Sequence, residues 1–162
     1  MGFRDTLTPA EQGTLPFPFF FNVIRAVGKN CPNLSDDVKL IHFLLINFYE
    51  ALGRRFRWEK PKGEISFDSG VYSAATENWI TKCQLDITFR GGINPGSALD
   101  KRIDRVRNKE DFKSSITKTT YTLATLNIVV ERINPAIFLA LPIFVPVVTG
   151  AVPPPSPDIV IK

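Results

Sequence analysis

The sequence contains few of the residues on which metal centres depend. Its 162 residues include two cysteines and one histidine. A structural zinc ion takes about four Cys or His ligands, so Cys31, Cys83 and His42 are too few to form such a site. One disulfide between the two cysteines stays open as an alternative to two free thiols, since sequence alone does not give the geometry. We therefore predict neither a metal nor a cofactor.

A membrane span and a secretory leader are also missing from the sequence. A spanning helix needs about 18 consecutive apolar residues, and the closest stretch, 136–152, is interrupted by Pro142 and Pro146. The first residues lack the basic region, the apolar run and the small-residue cleavage site of a signal peptide. We expect a protein without signal peptide or membrane span, made in the cytoplasm and incorporated into a virion or an exported particle.

Charge of one sign is in small excess only. The formal net charge is +4 and the isoelectric point is about 9.2. Such a charge favours an acidic surface mildly, but it lacks the strong clustering of Lys and Arg that is typical of nucleic-acid binding. We therefore predict no nucleic-acid partner.

A set of side chains for catalysis is not evident either. A Ser-His-Asp arrangement would have to use His42, which we expect at the surface or edge of a helix, bonded to backbone. Asp36 and Asp37 are explained by helix capping and by the helix dipole. Gly91 and Gly92 are not followed by the Lys-Ser/Thr pair of a phosphate-binding loop. We predict no enzymatic activity and no catalytic residue.

The features that are present are organised around residues 68–84. Ser69 and Gly70 indicate a tight turn, and Ser73 is a favourable N-cap, because its hydroxyl accepts from an unpaired backbone N–H. The predicted helix then carries an apolar stripe at helical spacing, made of Ala75, Trp79, Ile80 and Cys83. A helix this short is marginal in water, so it needs a packing partner.

Two further helices are predicted, and the first of them, upstream in the sequence, is the packing partner. One is predicted over residues 37–50, capped by Ser35 or Asp36, with three arginines in a solvated segment after it. Its apolar stripe consists of Val38, Ile41, Leu44, Leu45 and Phe48. The other is predicted over residues 117–131. Its stripe consists of Ile116, Thr120, Leu123, Leu126, Asn127 and Val130.

Two stretches of these helices keep the spacing of a known pattern. Residues 37–45 read Asp-Val-Lys-Leu-Ile-His-Phe-Leu-Leu, beside a family pattern of Asp-Val-x-x-Val-Gln-x-Leu-Leu. Residues 69–84 follow Asp-Gly-x-Phe-Gly-x-x-Thr-x-x-Ala-Ile-x-x-Phe-Gln, with matching Gly70, Thr76 and Gln84. The chain thus resembles the peptidoglycan-binding-like domain family over residues 23–87. Three more segments, 27–34, 100–104 and 121–127, resemble segments found in some members.

The resemblance implies a fold and a role. The family fold is a small three-helix module, and its role is attachment to the cell wall, often beside a separate enzyme domain. We therefore expect a mainly α fold class: a small three-helix peptidoglycan-binding-like core with long extended Pro-rich arms. The expected division is an N-terminal arm over 1–22, the helical domain with long loops over 23–131, and a C-terminal arm over 132–162.

Both predicted arms are apolar and rich in proline, which favours extended backbone. An exposed apolar segment of this length needs a cover. For the N-terminal arm two covers stay open, the chain's own domain and a neighbouring subunit. The residues expected to hold a neighbouring subunit are Phe17, Phe19, Phe20, Phe144, Val147, Ile159 and Ile161.

These features support two functional hypotheses. The first is a non-catalytic structural or adaptor component of a phage particle or contractile injection machine, with neighbouring protein subunits as partners. The alternative is a module that binds peptidoglycan and anchors or targets a partner. Its glycan or peptide groove would be formed by Arg57, Trp58 and Tyr72, because aromatic faces suit sugar rings and basic groups suit carboxylates. A solvated loop in which Trp58 covers the edge of the core stays open as well.

Overall fold

The computed structural model describes residues 2–90, 98–116 and 118–141. Over these residues the chain forms four short strands, three longer helices and two short helices. The strands are β1 (Phe3–Thr6), β2 (Phe19–Asn22), β3 (Val27–Gly28) and β4 (Arg102–Ile103). The helices are α1 (Pro9–Gln12), α2 (Ser35–Phe56), α3 (Ala74–Phe89), α4 (Thr122–Ile133) and α5 (Pro135–Ala140).

The predicted fold class is wrong, because the fold is mixed α/β rather than a three-helix core with extended arms. Strands β1 and β2 pair antiparallel, from Phe3 opposite Asn22 to Thr6 opposite Phe19. Strands β3 and β4 form a second antiparallel pair, with Val27 opposite Ile103. Helices α2, α3 and α4 pack between and against these two small sheets, and all contribute to one apolar core.

The N-terminal segment is part of the core and is not an extended arm. Phe17 and Phe20 are buried, and Phe19 is half-buried. The prolines do not prevent a strand here, because they flank it: Pro18 directly precedes β2, and its carbonyl accepts a hydrogen bond from Leu7 N–H at 2.8 Å. The cover that the aromatic side chains need is therefore supplied by the chain itself.

The helix predicted after the turn at Ser69 and Gly70 is confirmed as α3. Ser73 caps it, and Thr76 bonds back to the Ser73 backbone in a capping box. Trp79, Ile80 and Cys83 are buried on its inner face. Cys83 and Cys31 are both free thiols, and burial raises the pKa of the Cys83 thiol above its ordinary value.

The bounds predicted for the other two helices are corrected by the structure. Helix α2 begins at Ser35 without a side-chain cap and continues to Phe56, so Arg54 and Arg55 lie in its last turn. Cations are favourable there because the helix dipole places partial negative charge at the C-terminus. Helix α4 begins at Thr122, and Ile116 is 88% exposed.

Helix α4 begins later in the sequence than predicted because the residues before it form backbone pairs. Lys113 and Thr120 form an antiparallel bridge, and the backbone N–H of Tyr121 donates to Phe112 O at 2.9 Å. These bonds hold the chain extended up to Tyr121. Beyond that point Leu123, Leu126, Asn127 and Val130 are buried as predicted.

The chain after α4 begins as part of the core. Phe138 on α5 packs against Phe17, Phe19 and Phe21, with ring centroids 5.1 to 5.7 Å apart, and Leu141 is fully buried. The predicted interaction residues Phe144, Val147, Ile159 and Ile161 lie outside the described residues.

Candidate functional site

Four buried polar side chains bond to the backbone of distant segments, and the sequence predicted a backbone bond for His42 only. The four are Asn22, His42, Gln84 and Asn127. Gln84 on α3 donates from its amide nitrogen to Arg102 O at 2.8 Å and to Asp100 Oδ1 at 3.0 Å. Its Oε1 accepts from Lys101 N–H at 3.0 Å. Gln84 therefore attaches β4 to α3 and supports the β3–β4 pair.

Close approach of β3 to the segment before β4 depends on Gly28. Its φ of 151° is unfavourable for other residues, and an added Cβ would lie 2.5 Å from Lys101 O. Asn33 holds Gly28 from the other side, accepting from Gly28 N–H at 2.8 Å and donating to Gly28 O at 3.0 Å. The two contacts fix the entry into α2.

Asn22 and Asn127 connect the N-terminal strands to the rest of the core. Asn127 on α4 accepts from Phe21 N–H at 2.7 Å and donates to Phe21 O at 2.9 Å. Asn22 accepts from Val106 N–H and donates to Val106 O, both at 3.0 Å. Each amide thus pairs with a backbone edge as a neighbouring strand would.

His42 is buried, which corrects the prediction of a histidine at the surface or edge of a helix, although the predicted bond to backbone is present. Its Nδ1 lies 2.8 Å from Ser66 O, so Nδ1 carries the proton and donates. Its Nε2 then accepts from the Thr76 hydroxyl at 2.9 Å. Burial lowers the pKa of His42 below its usual range, although the Ser66 carbonyl acts in the opposite direction. A neutral imidazole with both nitrogens engaged is not placed as a catalytic base.

The buried imidazole should make the protein less stable in mild acid. Below the unfolded-state pKa of about 6.5, the unfolded chain binds a proton at His42 that the folded chain does not yet accept. The free energy of unfolding should therefore fall as the pH is lowered from 7 toward the folded-state pKa, by up to about 1.4 kcal/mol per pH unit. Urea denaturation of wild type and His42→Gln at several pH values measures this. Parallel pH profiles for the two proteins would contradict the assignment.

The candidate site is the surface around Trp58, which follows the left-handed residue Arg57 at the end of α2. Trp58 is half-buried against the core, with its ring 6.2 Å from that of Phe48. The guanidinium of Arg90, just past α3, lies 5.0 Å from the centre of the Trp58 ring. Trp58 lines two adjacent cavities, so it separates a polar groove from an apolar pocket.

The polar groove has a volume of about 400 Å³. Its aromatic lining residues are Tyr49, Trp58 and Trp79. Trp79 is buried, and its indole N–H donates to Gly63 O at 2.9 Å. The residues that line the groove are Ile46, Tyr49, Glu50, Gly53, Arg54, Trp58, Lys60, Glu64, Ile65 and Trp79. Charged groups of both signs and aromatic side chains therefore line the same groove.

The apolar pocket has a volume of about 220 Å³. Helices α2, α3 and α4 all contribute to it, so its walls are fixed by core packing. Its lining residues are Phe48, Leu52, Phe56, Trp58, Ile87, Arg90, Thr125 and Val129. Arg90 is the charged member of this set.

The structure does not bring the three predicted groove residues together. Trp58 lines both cavities, whereas Arg57 and Tyr72 line neither. Tyr72 precedes the N-terminus of α3 and Trp58 contacts Arg90 beyond its C-terminus, and a helix of 16 residues is about 24 Å long. The hydroxyl of Tyr72 donates to Glu77 at 3.3 Å. Burial, and to a smaller extent the negative charge of Glu77, raises the pKa of Tyr72 to about 12.

The charged lining residues that were not among the predicted groove residues are Glu50, Arg54, Lys60, Glu64 and Arg90. The signal for Lys60 and Arg54 was present, because both belong to the basic stretch around Trp58. The position of Arg90 beside Trp58 could not be predicted from the sequence, since it depends on how the end of α3 packs against the segment after α2. In the part of the chain that the structure describes, no three acidic, His or Cys side chains are grouped to hold a metal ion.

No helix within the described residues is both long enough and apolar enough to cross a membrane. Comparisons of the chain with protein-family models, with curated protein sequences and with solved structures found no match. The functional interpretation therefore depends on the geometry of the groove and the pocket beside Trp58.

Proposed function

We propose that this protein is a non-catalytic attachment module that binds peptidoglycan through the polar groove beside Trp58. The observation that carries the proposal is the groove itself. It combines the half-buried ring of Trp58 with Arg54 and Lys60, which suit the carboxylates of a wall peptide, and with Glu50 and Glu64, which accept hydrogen bonds from sugar hydroxyls.

The resemblance to the peptidoglycan-binding-like family supports the same function. Gln84 occupies the last Gln position of the family pattern, and Asn127 lies in the segment 121–127 that resembles some members; both bond to backbone of distant segments. His42 occupies the first Gln position of the pattern and likewise bonds to a loop carbonyl. Polar residues in the segments of the resemblance thus anchor distant parts of this chain.

The absence of catalysis is part of the proposal. The single histidine of the sequence is buried with both ring nitrogens engaged. Asp86, beside the groove residue Tyr49, accepts from the Tyr49 hydroxyl and from Lys82 Nζ at 2.7 Å each. These contacts leave the two groups with structural roles.

An adaptor role in a larger assembly is compatible with wall binding. The segment after Leu141 is apolar in sequence and contains Phe144 and Ile159. The N-terminal segment is buried in the protein's own core. We therefore propose that the C-terminal segment contacts the neighbouring subunit. A phage particle or injection machine that crosses a cell wall would use both properties.

Sedimentation with purified cell-wall sacculi tests the proposal. Wild type should be retained, and Trp58→Ala should be retained at least fivefold less, because aromatic stacking on the sugar is lost. Lys60→Ser should also weaken retention, whereas Phe89→Ala, an exposed aromatic residue that lines neither cavity, should not. Lack of retention of the wild type would remove wall binding.

The adaptor role has its own readout in the same set of proteins. Phe144→Asp and Ile159→Asp should leave sacculus retention unchanged and reduce the mass of any self-assembled species measured by light scattering. A monomeric wild type that captures no neighbouring subunit would remove the adaptor role and leave wall binding untouched.

A further inference from the structure

The proposed wall site does not use the apolar pocket on the other side of Trp58. We propose that this pocket binds a segment of a partner protein in which a bulky apolar side chain is flanked by carboxylates. This site lies beyond the proposed function and does not depend on it.

The pocket fits one large apolar side chain. Its volume of about 220 Å³ lies below the roughly 300 Å³ at which pockets for drug-sized ligands begin. Phe48 and Leu52 on α2, Ile87 on α3, and Val129 on α4 form its walls. Because three packed helices supply these residues, the pocket exists before a partner arrives, as in protein interfaces that hold an anchor residue.

An aromatic residue at the rim is left without cover. Phe56 lines the pocket and is 55% exposed, although it ends a helix whose earlier apolar residues are buried. A partner side chain that enters the pocket would cover Phe56 as well as the walls. Aromatic residues, Phe among them, are enriched at protein interfaces relative to the rest of the surface.

The charges at the rim select the partner's chemistry. Arg90 lies over the Trp58 ring, and Arg55 lies 5.5 Å from the centre of the Phe56 ring. The lining residues that the structure describes include no carboxylate. The side chain of Arg90 is 50% exposed, and its contact with Asp86 is long, at 3.9 Å.

Asp86 has closer partners than Arg90, so Arg90 is available to another acid. Lys82 Nζ and the Tyr49 hydroxyl each lie 2.7 Å from Asp86 Oδ2. A carboxylate beside the entering apolar side chain would form a charge-assisted hydrogen bond with the Arg90 guanidinium. The same carboxylate would be attracted by Arg55.

A concave pocket favours a protein segment over an anionic membrane. Peripheral membrane binding uses protruding apolar residues on a face that is free of acids. Here the apolar surface is recessed, and Glu50 and Glu64 in the adjacent groove would be pressed against anionic lipid headgroups. The geometry therefore matches an inserted side chain.

A titration of the ¹⁵N-labelled full chain tests the proposal through its two indole N–H signals. The probe is the end-blocked peptide Gly-Asp-Phe-Asp-Gly. The Trp58 indole signal should shift and saturate, while that of Trp79, buried and bonded to Gly63 O, should stay in place. Replacing the two Asp by Asn should weaken binding about fivefold at low salt, and replacing Phe by Ala should weaken it at least tenfold.

Variants of the full chain separate the two parts of the recognition. Arg90→Gln should remove the difference between the Asp and Asn peptides. Arg54→Gln, which changes a groove residue outside the pocket, should keep that difference. Val129→Trp should fill the pocket and abolish binding. If that last variant unfolds, the exposed Arg90→Gln still decides the question.

Four results would overturn the proposal. The first is an equal response of wild type to the Asp and Asn peptides, and the second is the lack of any Trp58 shift. The third is peptide binding that is seen only in Phe144→Asp, since that would assign the pocket to the chain's own C-terminal segment. The fourth is a larger Trp58 shift with phosphatidylglycerol vesicles than with the peptide. Each result leaves sacculus retention, measured through Lys60→Ser, as an independent test of wall binding.

Discussion

Replacing Phe21 by alanine should lower the free energy of unfolding by about 4 kcal/mol, because removal of a buried aromatic side chain leaves a cavity that the core fills only partly. Phe21 on β2 is completely buried. Its ring lies 5.1 Å from that of Phe138 and 5.6 Å from that of Phe19, both near edge-to-face. The substitution therefore removes contacts to β2 and to α5 at the same time.

Urea denaturation followed by circular dichroism measures this effect, with Phe89→Ala as the matched control. Phe89 is 72% exposed at the end of α3, so its truncation should change the free energy of unfolding by less than about 0.5 kcal/mol. A loss of less than 1 kcal/mol in Phe21→Ala would contradict burial of the N-terminal segment. It would also restore the expectation of an arm that docks on a neighbouring subunit.

The N-terminal strands explain why the predicted fold class is wrong. Sequence patterns favour a strand where polar and apolar residues alternate, but β2 has consecutive apolar residues. Phe20 packs against Phe112 on one side, with ring centroids 5.4 Å apart, while Phe21 packs against Phe138. Both faces of the strand are covered by distant segments of the chain. No local pattern contains that information, and the prolines nearby favour a different interpretation.

Helix α3 was predictable because its signals are local. The cap at Ser73 and the buried Trp79 and Ile80 all lie within one short stretch. Helix α2 was predicted too short, because Gly53 and the arginines that follow it were interpreted as a connecting segment, whereas they form the last turn of the helix. Gly53 lies inside the helix and Arg57 takes the left-handed cap position that glycine usually occupies.

Of the three predicted groove residues, only Trp58 lines the candidate site. The basic stretch around Trp58 indicates a binding surface, and Trp58 does line both cavities. Arg57 is its neighbour in sequence but lines neither cavity. Tyr72 was grouped with Trp58 because both are aromatic, and the length of α3 separates them. Arg90 enters the site through tertiary packing, so it has no signal in the sequence.

Asn127 connects the two halves of the core through backbone pairing. Strand β2 pairs with β1 along one edge, and its other edge faces α4. A strand edge without partners inside a core would leave a buried N–H and a buried C=O unpaired. The side-chain amide of Asn127 satisfies both groups of Phe21, so a helix serves in place of a third strand.

Replacing Asn127 by alanine should therefore lower the free energy of unfolding by about 3 to 5 kcal/mol. The cost arises because the substitution leaves Phe21 N–H and Phe21 O buried without a partner, at about 1–3 kcal/mol for each group. A small gain in helix propensity offsets little of this. The same urea denaturation as for Phe21→Ala measures the loss, and hydrogen exchange at the Phe21 amide gives a local readout.

Asn47→Ala is the matched control for this substitution. Asn47 also lies in a helix, but its amide donates only along its own helix, to Phe43 O at 2.9 Å. Its loss leaves no strand edge unpaired, so the free energy of unfolding should fall by about 1 kcal/mol or less. Equal effects at the two positions would mean that β2 does not depend on Asn127. A large effect at Asn127 alone, with faster exchange of the Phe21 amide, would establish that the N-terminal strands and α4 fold as one unit.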